Sequence, residues 1–124
     1  MDDYLGVVVR ESLRDPSLTP PVVASRQGTD WTLLLVRIPV DEMNREVAAL
    51  RSNLDRTDCW YAHFFRGGEL VVVFDDEVFR VSTDPKTWDA AVQHGRDRGV
   101  PDDELDFSPR TVEEVEAAFG LRIL

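Results

Sequence analysis

Two apolar stretches joined by a glycine pair constrain this chain more than any other feature. Cys59–Arg66 and Glu69–Phe74 are rich in aromatic and β-branched residues, and Gly67–Gly68 separates them. A two-residue connection between strands needs positive φ, which glycine adopts without a Cβ clash, so the segment predicts a β-hairpin. Asp75–Asp76 supplies a second turn, and Glu77–Ser82 extends the hairpin into a three-stranded meander.

Side chains alternate along a strand, so Cys59, Tyr61, His63 and Phe65 share one face, and Trp60, Ala62 and Phe64 the other. Both sets are largely apolar, as are both faces of Leu33–Val36 and Leu70–Val73. An antiparallel sheet with one wet face alternates more cleanly. Both faces are therefore expected to be covered. Either helices lie on both sides, or helices cover one side and a partner subunit the other, as in ferredoxin-like dimers packed sheet to sheet. A homodimer is held open beside a monomer on that ground.

The flanking sequence supplies the remaining elements. Tyr4–Leu13 reads as a first strand ended by Asp15–Pro16, because proline lacks a donor and restricts its predecessor. Val22–Ala24, between Pro20–Pro21 and Gln27–Asp30, is an edge strand or a loop. Trp31–Ile38 is a strand stopped by Pro39. Asp41 is placed to cap a helix of about 14 residues, in which Met43, Val47, Leu50 and Leu54 fall on one stripe. Asp84–Pro85 opens a second helix with Trp88, Ala91, Val92 and Gly95 on one face, and Gly99 ends it. Thr111 and Glu114 have capping-box spacing for a third helix, which carries Val112, Val115 and Phe119 and stops at Gly120. The expectation is a single α+β domain over residues 1–124: an antiparallel sheet of four or five strands with three helices, in the order β-β-α-β-β-β-α-α, with a ferredoxin-like arrangement as one candidate.

Charge narrows the partners. Residues 1–74 carry 11 acids and 8 bases, whereas residues 75–124 carry 13 acids and 6 bases, for a formal net charge of −10. Such a field repels nucleic acid and anionic lipid, so neither is expected as a partner, and it attracts a basic protein surface. No apolar run approaches the roughly 20 residues needed to cross a bilayer. The start, Met1–Tyr4, is acidic and unlike a secretory leader, so a cytoplasmic location is expected. Cys59 is the single cysteine, which leaves no intrachain disulfide and no cysteine-based zinc site.

His63 is the strongest candidate for chemistry, since imidazole titrates near neutrality. It lies among aromatics with Tyr61 on its face, and no carboxylate nearby in sequence orients it. The plainer reading is a buried histidine bonded to backbone. Cys59 and His63, four residues apart along an extended strand, are separated by roughly 13 Å and form no local dyad. His94 and the acids of Asp102–Asp106 have neither the spacing of a zinc site nor that of a calcium loop, so no metal is expected. Gly67–Gly68 joins strands instead of opening a helix, so it makes no phosphate cradle, and no cofactor is expected. Arg37, at the end of its strand, is a weak candidate for holding an anion.

Trp60–Phe64, Glu69–Phe74, Thr87–Trp88, Gly95, Val100–Pro101 and Leu105–Pro109 together form a pattern. It resembles a group of small uncharacterised bacterial proteins with a Tyr-Ala-His-Phe strand and a Leu-Asp-Phe-x-Pro turn. The resemblance implies no activity and no catalytic residue. It implies at most that His63 and Asp106 meet across the fold.

The leading functional expectation is a non-enzymatic interaction protein whose acidic C-terminal half faces a basic partner, akin by analogy to immunity proteins or antitoxins. The alternative is a small enzyme or ligand-binding protein with a pocket around His63, Tyr61 and Trp60.

Overall fold

The hairpin expected at Gly67–Gly68 is present, inside a wider sheet. The computed structural model describes residues 3–123. Among these are six strands: β1 (Tyr4–Val9), β2 (Val22–Gln27), β3 (Thr32–Ile38), β4 (Tyr61–Arg66), β5 (Glu69–Phe74) and β6 (Val78–Ser82). Three α-helices accompany them, α1 (Met43–Asn53), α2 (Asp89–Asp97) and α3 (Val112–Phe119). The spatial order is β2-β3-β1-β4-β5-β6, and every neighbouring pair is antiparallel.

The α+β class holds, with two corrections. The sheet has six strands, not four or five, and the order is β-β-β-α-β-β-β-α-α. The additional strand is β2, which pairs with β3 through a register shift between Val22 and Ala24. This order also departs from the β-α-β-β-α-β unit of a ferredoxin-like fold. Here two three-stranded units meet where β1 pairs with β4.

Each face of the sheet carries its own core. On one, α1 lays Met43, Val47 and Leu50 against Tyr4, Val8, Val36, Phe64 and Val71. The stripe predicted for this helix is the buried one. The helix begins differently, however: a 3-10 turn at Val40–Glu42 leads into it, and no side chain caps it. The amide of Met43, two residues after Asp41, is satisfied by the carbonyl of Val40, which takes over the role expected of Asp41. Buried Asn53, at the end of α1, donates to the carbonyls of Asp15 and Leu18 and accepts from the amide of Asp15. These bonds fasten the segment after β1, which leaves the sheet at Val9 and not at Leu13.

The opposite face is covered by α2, α3 and the turn between them. Trp88, Ala91, Leu105, Phe107 and Val115 pack there on Leu5, Leu35, Phe65, Val72 and Phe74. Helices of this chain thus lie on both sides of the sheet. Gly95 of α2 lets Leu105 close in, since a Cβ there would stand 2.7 Å from Leu105 Cδ2. Thr111 Oγ1 accepts from the amide of Glu114 at 3.1 Å, and Gly120 ends α3 at φ 65°, as the capping pattern predicts. In the β4–β5 turn the positive φ falls on Gly67 alone.

Gly6 decides how the two halves of the sheet join. It sits opposite Phe64 in the β1–β4 ladder, and the Phe64 ring lies over the space where a side chain would be. An added Cβ would also stand 2.6 Å from the backbone oxygen of His63, which cannot swing away. Gly6→Ala is therefore expected to cost about 2 kcal/mol, as overpacking in a filled core does. Urea unfolding of the variant beside the wild type checks this, and an unchanged midpoint refutes it.

Candidate functional site

The second face is not filled everywhere. Between α3 and the Glu104–Pro109 turn lies a cleft of about 510 Å³. Its floor is sheet: the β1–β4 register sets Val7 opposite His63, and the β1–β3 register sets Val9 opposite Leu33. Ala118 and Phe119 of α3 form one wall, and Glu104, Ser108 and Pro109 the other. Trp31, Asp58, Cys59 and Trp60 line it as well, and Trp31 is 37% exposed and Asp58 exposed, which marks this as the end open to water. The rings of Trp31 and Trp60 meet edge to face with centroids 5.6 Å apart.

His63 is 5% exposed and lines this cleft. Its Nε2 lies 3.0 Å from the carbonyl of Pro109. A carbonyl only accepts, so Nε2 carries the hydrogen and Nδ1 carries the lone pair. Burial drives the ring strongly towards its neutral form, outweighing the Pro109 bond and the Asp106 charge, and its pKa is lowered to about 4. His63 makes no other side-chain hydrogen bond among the described residues.

Tyr61 contributes its ring and little else. Its hydroxyl donates to the carbonyl of Glu104, and its ring stands edge-on to Phe107 at 5.4 Å. Burial, with the charges of Asp106 and Glu104 added, pushes the phenol far above its ordinary range, so it stays protonated. Phe107 reaches this position with φ at 50°, fully buried between Tyr61 and Trp88. The Cys59 thiol is pushed up by burial, although the Arg98 charge pulls the other way. It is therefore not an activated nucleophile.

The other candidates fall outside the cleft. Asp106 does not orient the imidazole: it is exposed, its Oδ1 accepts from the amide of Ser108 at 3.3 Å, and the Pro109 carbonyl holds His63 instead. Arg37 is paired with Asp3 at 2.7 Å on the far part of β3. His94 bonds Asp76 at 3.0 Å and packs on Phe74 and Phe79, while Arg98 reaches both Asp75 and Asp76. That network ties α2 to the β5–β6 turn. Burial opposes the ionisation of Asp76, yet His94 and Arg98 prevail and hold its carboxyl below the usual range. Among the described residues no three His, Cys, Asp or Glu side chains are grouped to hold a metal ion, and no helix is long and apolar enough to cross a membrane.

Of the residues named from sequence, His63, Tyr61 and Trp60 thus meet at the cleft, and Asp106 and Arg37 do not. Sequence reasoning missed Val7, Val9, Leu33, Pro109, Ala118 and Phe119. The alternation of Val7 and Val9 was the one available signal. No family model, curated protein or solved structure matches this chain.

The burial of His63 makes stability depend on pH. The unfolded imidazole takes up a proton near 6.5, whereas the folded one resists until about 4. Stability is therefore full above pH 6.5 and drains away as the pH falls towards 4, by up to about 3 kcal/mol. Urea unfolding across this window should show the wild type losing that much more than His63→Phe. Parallel curves for the two proteins would refute it.

Proposed function

We propose that this chain binds a small, largely apolar molecule in the cleft between its sheet and α3. The observation that carries the reading is the cleft itself: about 510 Å³, apolar over most of its lining, with His63 presented on its floor. Ligand sites typically span about 300–1,000 Å³ and combine an apolar lining with a few placed polar groups. Binding fits better than catalysis. His63 Nε2 is occupied by Pro109, no carboxylate orients the ring, and neither Cys59 nor Tyr61 is poised to ionise.

An acidic surface for a basic protein partner has less behind it. Several acids of the C-terminal half already serve the fold: Asp75, Asp76 and Asp102 in ion pairs, Asp84 and Glu114 at helix or turn starts. The binding reading takes the protein as cytoplasmic, in keeping with its single unpaired cysteine.

Trp31 and Trp60 make the test direct. An apolar environment-sensitive dye that enters the cleft should quench or shift their fluorescence saturably. Ala118→Trp, which fills the cleft from α3, should abolish that saturable binding while leaving the unfolding free energy within about 1 kcal/mol of wild type. Undiminished dye binding by a folded Ala118→Trp protein would overturn the reading.

A further inference from the structure

The polar groups of the cleft specify the ligand's chemistry. Nδ1 of His63 makes no hydrogen bond, yet it is not sealed away. The one sealed side-chain nitrogen or oxygen without a partner, among the described residues, is Arg66 Nε. Nδ1 is therefore reached from the space that His63 lines, which is the cleft. The Pro109 carbonyl fixes the tautomer, so what faces that space is a bare lone pair on a neutral ring.

The charged lining is acidic throughout, and the donors beside it are uncharged: the Ser108 hydroxyl, the Cys59 thiol and the indole N–H groups of Trp31 and Trp60. Asp58 and Glu104 offer carboxylates, the Tyr61 hydroxyl is spent on the Glu104 carbonyl, and no lysine or arginine lines the cleft among the described residues. A carboxylate or phosphate would enter without a counter-charge, against a chain of net charge −10. A cation would find its carboxylates at exposed Asp58 and half-buried Glu104, and would have to lose its water to reach His63. Four aromatic rings, those of Trp31, Trp60, Tyr61 and Phe119, line the cleft beside its aliphatic side chains.

We infer that the ligand is an uncharged molecule with an aromatic or similarly flat apolar body and one O–H or N–H group, which donates to His63 Nδ1. This rests on the binding reading above and adds the polarity, charge and anchoring atom of the ligand.

The experiment uses the full chain and four probes of one ring system: naphthol, its methyl ether, naphthoate and naphthylmethylammonium. Affinities are read from tryptophan fluorescence at neutral pH. Naphthol should bind about tenfold more tightly than the ether, the gain expected of one hydrogen bond formed away from water. Naphthoate and the ammonium probe should both bind more weakly than naphthol. In His63→Leu, naphthol and the ether should become equal. A nitrogen-15 spectrum of the wild type gives a second readout that needs no variant. It should show hydrogen on Nε2, and the Nδ1 resonance should move with naphthol and stay still with the ether. Equal binding of naphthol and ether, or tighter binding of either charged probe, overturns the inference and leaves the cleft a binding site. If none of the four probes competes with a dye that Ala118→Trp excludes, the inference again fails alone. If no probe or dye binds at all, the binding reading falls with it.

Discussion

The sheet is held together along one short seam, β1 against β4, where Leu5, Gly6 and Val7 meet Phe65, Phe64 and His63. On one side of this seam lies the unit β2-β3-β1, and on the other β4-β5-β6. The two cores depend on it equally. Phe64 crosses Gly6 towards α1, and Leu5 and Phe65 point the opposite way, towards the C-terminal helices. Close backbone approach at a residue without a side chain is what lets a bulky ring fill the junction.

The shortness of that seam also explains the cleft. Pairing stops at Val7 and His63, so Val9 and Tyr61 continue without facing each other in the ladder. The floor widens there, and α3 and the Pro109 turn bridge it from above without filling it. His63 is the last residue of β4 paired with β1 before the gap. Its position on the floor follows from the register, and its orientation follows from a carbonyl 46 residues further along the chain.

This division accounts for what the sequence disclosed. The stripe of α1, the β4–β5 turn and the Thr111–Gly120 limits of α3 are written in neighbouring residues, and each was legible. β2 was legible only as far as an edge strand or a loop over Val22–Ala24, because Ser25, Arg26 and Gln27 are polar and exposed, and prolines precede it. Its strand character comes from pairing with β3, which is a tertiary fact. His63 stood out by chemistry, but a backbone carbonyl has no residue signature, so Pro109 could not be chosen over Asp106. The cleft was hidden for the same reason, since its lining comes from five separated parts of the chain.

The irregular register of β2 carries a consequence for behaviour in concentrated solution. This strand forms an edge of the sheet, and Val22 and Val23 stand 47% and 46% exposed on it. A straight apolar edge of that kind would template the addition of further chains, one strand after another. The shift between Val22 and Ala24 breaks the even spacing of amides and carbonyls at the place where the apolar side chains lie. An incoming strand that matched the polar end of β2 would fall out of step at its apolar end, which disfavours fibrous growth from this border of the sheet.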